Sequence, residues 1–535
     1  MTVMQRISMR FRTGRASLRL FATLLLGFGC TATSAIAEPE RPNIVIFLAD
    51  DLGWADVGYR GSPIETASID RLAAEGVRLE RFYATPICSP TRAALMTARD
   101  PIRLGIAYDQ IHPWYNAGLD KDEYTLAEAF QDAGYQTALV GKWHLGHTQE
   151  HQLPNAQGFD EFWGHVHTNT DFYDHKREGG HDLQHNGESV HEPGEYLTHL
   201  EAREALRFIR ERDEDKPFLL YVPFTAPHSP MQAPQETIDK YAGLPEKDYR
   251  RTYAAMVDEM DRAMGQVLAE LESEGLAENT VVLFFSDNGG FHGYGGNNEP
   301  LRGQKGQTFE GGIRVPAVIR WPGRLQANQA FNDMMSVLDV MPTLAAAAGV
   351  ELPAGTEIDG ENRWPALLGQ PVPRKTPLFF VSEIPVPGMI FTAVIDWPWK
   401  LVQIVREGQT ATETREMLFQ IDRDPNEQNN LAASEPEKVA HLAELLRQRR
   451  AEHPLAGTRG TLVPHPGWIP AKDWAEAVSP SEQLQDRWRN ELPFDESLIR
   501  AIGDRGRLVD EETRARLRKQ EREREKAWQQ GGGER

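Results

Sequence analysis

Cysteine is nearly missing from this chain: Cys30 and Cys88 are the only two in 535 residues. That leaves no CxxC pair, and the lack of a thiolate–imidazole ligand set argues against a structural zinc site. Positive charge is also short. Against 79 Asp and Glu stand 58 Lys and Arg, a formal charge of −21, which excludes a chain built to grip nucleic acid nonspecifically. Long apolar runs are missing too. The most hydrophobic stretch, "LFATLLLGFG" from Leu20, falls short of the roughly 20 residues a membrane helix needs, so no stable membrane insertion is expected.

What that stretch does resemble is an export signal. Arg10, Arg12, Arg15 and Arg19 precede it, and Ala35 and Ala37 form an A-x-A site before Glu38. Residues 1–37 therefore read as a signal peptide, and the product as exported, periplasmic or extracellular. A lipidated Cys30 is the alternative, although "GFG" before it is a poor match to the usual pattern. Cleavage after Ala37 leaves Cys88 as a single thiol with no disulfide partner.

Apolar runs that end in charge mark the strands. "PNIVIFLADD" delivers Asp50 and Asp51, "TALVGKWH" delivers Lys142 and His144, "PFLLYVPFTAPH" leads to His228, and "TVVLFFSDNGG" leads to Asp287 and Asn288. Helical patterns such as "EAREALRFIRER" and "YAAMVDEMDRAMGQVLAELESEG", with Gly275 at its end, alternate with them. "MMSVLDVMPTLAAAAG" reads as one more helix. The class is α/β, a mostly parallel sheet covered on both faces, whose ligands bind beyond the carboxyl ends of the strands. "TPLFFVSE", "MIFTAVIDWPWKLVQIV" and "REMLFQID" predict a smaller antiparallel sheet. The expected division is a catalytic domain at 38–375, a small C-terminal α+β domain at 376–450, and an extended, Pro- and Trp-containing tail with a charged helix at 451–535.

Around Cys88 the sequence is "CSPTRAALMTAR". Ser89 as N-cap and Pro90 as first helical residue predict a helix with Cys88 just outside it. Arg92 in the first turn has the wrong sign for the helix dipole, which calls for negative charge nearby. A phosphatase-type thiolate fits poorly, because here Cys and Arg are four residues apart and Pro90 removes an amide. Asp50, Asp51, Asp287 and Asn288 supply hard oxygen donors from two strand ends, suited to Ca²⁺ or Mg²⁺.

Taken together, "PNIVIFLADDLG", "CSPTRAALMTAR", "GKWHLG", "TAPHSP", "SDNGG" and "LRGQKGQTFEGGIR", with the later "WPWKLV" and "LFQIDRDPNEQNNL", resemble the type I sulfatases of the alkaline phosphatase superfamily. The resemblance spans about Arg41 to Leu431 and departs from the family motif at Ala98, where glycine is usual. It implies an alkaline-phosphatase-like sandwich and a Cys88 oxidised to formylglycine by a separate formylglycine-generating enzyme. It further implies Ca²⁺ held by Asp50, Asp51, Asp287, Asn288 and the residue derived from Cys88. Hydrated, that residue takes the sulfate and then releases it. Arg92 orients the diol, Lys142 and Lys305 bind the sulfate, His228 protonates the leaving oxygen, and His144 removes a proton in the second half-reaction.

For substrate, "GFDEFWGHVHTNTDFYDH" and "GGNNEPLRGQKG" are most similar to the arylsulfatase B (N-acetylgalactosamine 4-sulfatase) group, which implies a sulfated sugar with aryl sulfates as surrogates. On that reading Asn297, Asn298 and Glu299 meet sugar hydroxyls. Trp163, Phe172 or Tyr173 form a pocket wall, and His165, His167, His175 and His292 rim the cleft. A broad aryl or alkyl sulfatase, a promiscuous phosphodiesterase or phosphonate hydrolase, and a secreted anion-binding protein with unmodified Cys88 remain as alternatives.

Overall fold

The computed structural model describes residues 41–245, 247–383, 389–407, 412–454 and 468–478. The 1–37 signal and most of the 451–535 tail lie outside them. Ten strands form the main sheet. Its centre is five parallel strands in the order Thr280–Ser286, Asn43–Ala49, Phe218–Pro223, Gln136–Lys142 and Glu161–His165. Antiparallel strands, among them Ala317–Arg320, flank this centre.

The first strand shows why the sheet is a middle layer. Ile44, Ile46 and Leu48 point into one apolar cluster, while Val45, Phe47 and Ala49 point into the other. A strand apolar on both faces has no side to offer water, so helices must cover each. Leu197–Glu211 and Arg250–Ser273 cover one face; Cys88–Thr97, Leu126–Asp132 and Val340–Ala348 cover the other. Among the described helices none is long and apolar enough to cross a membrane.

Two helix starts differ from the sequence expectation. The Cys88 helix begins at Cys88 itself, with Ile87 extended before it. Ser89 does not cap, because its hydroxyl accepts from the Ile111 amide at 3.0 Å; Pro90 is tolerated because the first turn's amides have no helical acceptor anyway. The helix expected across "MMSVLDVMPTLAAAAG" is broken. Ser336 and Asp339 form a capping box around the short turn Val337–Asp339, and only Val340–Ala348 is α-helical.

The second sheet has four antiparallel strands, Leu378–Ser382, Met389–Asp396, Trp399–Glu407 and Thr412–Gln420. Helix Pro436–Ala451 covers one side through Val439, Leu442 and Leu446. The other side shares an apolar cluster with Tyr83, Phe309 and Ile313. Here lies a fully buried ion cluster: Lys400 Nζ is 2.9 Å from Glu310 and 2.8 Å from Glu427. Removing the cation strands two carboxylates. Lys400→Met is therefore expected to destabilise the protein by about 3–5 kcal/mol, read as a lower midpoint in urea unfolding; an unchanged midpoint would show that the cluster carries no weight.

Candidate functional site

Four loops meet beyond the carboxyl ends of the parallel strands. The first strand ends at Ala49, and Asp50 and Asp51 follow, both buried. Asp51 has φ 71°, a left-handed backbone that costs a non-glycine residue about 1–2 kcal/mol. It is held there by its amide, which donates to Asp287 Oδ1 at 3.2 Å, and by its carboxylate, which accepts from Asn288 Nδ2 at 2.7 Å. The "SDNGG" turn can approach this closely because Gly289 and Gly290 have no side chain. A Cβ on Gly289 would lie 1.9 Å from the Gly311 carbonyl oxygen, and one on Gly290 2.9 Å from the Cα of Gly53.

Cys88 opens its helix against this pair. Its Sγ donates to Asp50 Oδ1 at 3.5 Å, with no solvent exposure. Burial pushes the thiol well up, and Lys142 and Lys305 only partly offset that. An unmodified residue 88 would therefore stay protonated, which argues against a thiolate nucleophile. Arg92 has its negative partners: Nη2 lies 2.9 Å from Asp287 and 3.8 Å from Asp50, and Nη1 donates to the Lys142 carbonyl at 2.9 Å. At the end of the helix, Ala98 stands in the left-handed region at φ 53°, which explains why glycine suits that position.

The cations are interleaved with the acids. Lys142 Nζ contacts Asp50 Oδ2 at 2.5 Å and Lys305 Nζ contacts Asp51 Oδ1 at 2.7 Å. Burial alone would raise Asp50, but Lys142, His228 and Arg92 hold it far below the ordinary carboxylate range. Asp287 goes the other way, up to about 7, through burial and the neighbouring Asp50. His228 donates from Nδ1 to its neighbour Ser229's carbonyl at 2.8 Å, and its Nε2 lies 3.6 Å from Asp51. Burial, then Lys305, lowers its pKa to about 4, so in the absence of an anion it is neutral with a bare Nε2. His144, at φ 64°, donates from Nε2 to the Ile111 carbonyl at 3.1 Å. Its Nδ1 is buried with no hydrogen-bond partner among the described residues. Burial and Lys142 keep this imidazole neutral.

Donor chemistry here fits a hard divalent cation. Ligand atoms of Asp50, Asp51, Cys88 and His228 lie within 4.8 Å of one another. Asn288 Oδ1 is buried without a hydrogen-bond partner among the described residues, an acceptor left for an ion. Asp287 joins the group through Asp51 and Arg92.

A cavity of about 280 Å³ opens over Asp51, His228 and Lys305. Its rim brings in residues the sequence reading missed: Gln110, Thr168, Asn169, Arg177, Ser229 and Tyr294. Ser229 follows His228, and Thr168 and Asn169 follow the strand Glu161–His165, so a search of strand-end loops would have found them; Gln110 and Tyr294 carry no such signal.

Several proposed cleft residues face elsewhere. Asn298 is fully buried, accepting from the Gly290 amide at 2.9 Å and donating to its carbonyl at 2.8 Å. It holds a loop rather than a sugar. Asn297 accepts from the Glu299 amide at 3.0 Å, making a turn; neither it nor Glu299 lines the cavity. Trp163 and Phe172 belong to the core and Tyr173 packs against it. His165, bonded to Thr225 at 2.7 Å, His167 and His175 are buried, whereas His292 is exposed.

A family model described as Sulfatase matches residues 42–350, and one described as N-sulphoglucosamine sulphohydrolase, C-terminal, matches residues 304–453. Arylsulfatase J of Mus musculus is 36% identical over 61% of this chain, and the chain spans 56% of that relative's length. N-acetylgalactosamine-6-sulfatase of the same species is 37% identical over 67% of this chain and 72% of its own. Among solved structures, Ps i-CgsB in complex with k-i-k-neocarrahexaose superimposes with a TM-score of 0.71 at 31% identity, covering 86% of this chain and 99% of that one.

Proposed function

Because the chain belongs to the sulfatase family, we propose that it is an exported hydrolase of sulfate esters on carbohydrates, working through a hydrated formylglycine derived from Cys88. The single observation that carries this reading is the placement of Cys88 Sγ 3.5 Å from Asp50, among Arg92, Lys142, Lys305 and His228. Burial of Cys88 requires its conversion by a formylglycine-generating enzyme before the chain folds.

Asp50, Asp51, Asp287, Asn288 and the oxygen of residue 88 would hold Ca²⁺, which supplies Lewis-acid stabilisation of negative charge when bound. Lys142 and Lys305 bind sulfate oxygens, the largest source of transition-state stabilisation. Arg92, fixed by Asp287 and the Lys142 carbonyl, orients the diol of residue 88. An arriving sulfate ester brings negative charge to His228 and raises its proton affinity, so that it can give a proton to the leaving oxygen. His144, neutral with a bare Nδ1, takes a proton from residue 88 to release sulfate.

The polar rim of the cavity supports a sugar over a simple alkyl group, as do a relative named for N-acetylgalactosamine 6-sulfate chemistry and a neighbour solved with a neocarrahexaose. Intact-mass analysis tests the modification. Conversion lowers the mass by about 18 Da relative to the thiol and hydration restores that water, so the denatured protein is treated with a thiol alkylator and with a carbonyl-reactive hydrazide; an active preparation whose residue 88 takes only the thiol label would sink the reading. Initial rates on 4- and 6-sulfated galactosamine sugars, sulfated galactan oligosaccharides and an aryl sulfate test the substrate class; N-terminal sequencing of exported protein, expected to begin at Glu38, tests localisation.

His228 separates leaving groups. His228→Gln is expected to lower kcat/KM on sugar sulfates by about 10²–10⁴-fold, and on 4-nitrophenyl sulfate far less, because a phenolate leaves without a proton. Equal losses on both would remove its role as the acid.

A further inference from the structure

Arg177 stands on the cavity rim at the tip of a two-strand hairpin. Lys176–Arg177 pairs with Gly180–His181, and the turn between them places Glu178 and Gly179 at φ 51° and 88°. A segment distant in sequence clamps this hairpin. The His181 amide donates to the Lys472 carbonyl and the Trp474 amide to the His181 carbonyl, both at 2.9 Å. Trp474 Nε1 donates to the carbonyl of Arg177 itself at 3.1 Å, and Ser189 donates to Asp473 at 2.5 Å. The fit depends on a glycine, since a Cβ on Gly180 would lie 2.0 Å from the Ala471 carbonyl oxygen and 2.8 Å from Trp474 Nε1. Trp474 is buried, its ring centroid 4.2 Å from that of His167 and 6.3 Å from that of Trp468.

Charge gives this arrangement a purpose. The protein carries −21 overall, a field that repels a substrate bearing more than one anionic group. Deep in the cavity, Lys305 and His228 surround Asp51 and serve the scissile sulfate. On the rim, Gln110, Thr168, Asn169, Ser229 and Tyr294 are neutral, and among the described residues Arg177 is the one guanidinium there. Glu178 is 3.4 Å from it but does not line the cavity. A planar guanidinium suits a bidentate grip on a carboxylate or sulfate.

We propose that Arg177 reads a second sulfate on the sugar that carries the scissile one, and that segment 468–478 positions it through Trp474. This rests on the sugar-sulfatase reading above. Arg177 touches substrate as a specificity residue, whereas Trp474 acts only through the Arg177 backbone. Neither takes part in bond making or breaking.

The test uses the full-length converted protein and three substrates: 4-nitrophenyl sulfate, a monosulfated galactosamine glycoside, and the same glycoside with a second sulfate. The native protein is expected to prefer the disulfated sugar by kcat/KM. Arg177→Gln should lower the ratio of disulfated to monosulfated kcat/KM by about 10- to 100-fold, the worth of a charged hydrogen bond, chiefly through KM; Arg177→Lys should restore part of it. Trp474→Ala should move the same ratio the same way, again through KM. If that variant fails to accumulate folded, Asp473→Ala, which removes the Ser189 contact and the bond Asp473 accepts from the Ala475 amide while leaving the Trp474 ring in place, replaces it and should lower the ratio by a smaller factor. A native protein active on the aryl and monosulfated substrates but indifferent to the second sulfate overturns this inference and leaves the sulfatase reading standing. Inactivity on all three overturns both. A ratio that falls in Arg177→Gln but is unmoved by a folded Trp474 or Asp473 variant overturns the positioning role of the segment.

Discussion

Cys88→Ser is expected to fold and bind substrate yet lose steady-state turnover by a factor on the order of 10⁵–10⁶, the loss typical of deleting a nucleophile. Folding should survive because, among the described residues, the side chain's polar contact is with Asp50, and a hydroxyl can make the same contact in the same volume. Turnover fails for a chemical reason. A hydrated formylglycine has two hydroxyls on one carbon: one oxygen takes the sulfuryl group, and deprotonation of the other expels sulfate and restores the carbonyl. Serine has one hydroxyl. Once it carries SO₃ there is no second oxygen from which His144 can draw a proton, and the ester persists. Mass spectrometry after incubation with an aryl sulfate should show a variant heavier by one SO₃ group, with product released once per chain. A variant turning over at the native rate would rule out recycling through the diol.

The elements that deliver the site were legible because strand and helix signals are local. A run such as "NIVIFLA" has no polar side, so it must be a central strand, and the charges after it must emerge at its carboxyl end. The same reading located Lys142, His144, Asp287 and Asn288. Contacts were not legible, since the pairing of Asn288 with Asp51 spans 237 residues and depends on which strands lie side by side. Burial of polar residues was misread for a related reason. "HVHTNTDFYDH" looks like a hydrophilic loop, but His165 and His167 turn inward, where Thr225 and Trp474 from other segments meet them. Asn298 similarly spends its amide on the Gly290 backbone. Trp474 lies in a stretch whose composition gave only an extended, Pro- and Trp-containing tail, and only the fold shows its ring under the Arg177 hairpin.

Chelation of divalent cations should reduce turnover by roughly 10³-fold, the equivalent of several kcal/mol of charge stabilisation, with Ca²⁺ restoring activity more fully than Mg²⁺. On the proposed reading Ca²⁺ is expected to serve better, because carboxylates and an amide oxygen from two loops would make an irregular cage, while Mg²⁺ demands a near-octahedral one and keeps its waters. Chelation should also expose the cost of packing these acids together. Without a cation, burial and Asp50 raise Asp287 to about 7. An acid whose pKa is higher in the folded state holds more protons there than when unfolded, so between its ordinary value of 3.8 and about 7 stability falls as pH rises and then levels off. Asp50 is depressed instead, and its contribution is lost only below the ordinary carboxylate range, outside that window. Because Ca²⁺ needs Asp287 ionised, saturating Ca²⁺ should thus raise the melting temperature of the chelated protein by more at pH 8 than at pH 5. Melting and turnover both indifferent to chelation and to added Ca²⁺ would remove Asp50, Asp51, Asp287 and Asn288 as a cation site.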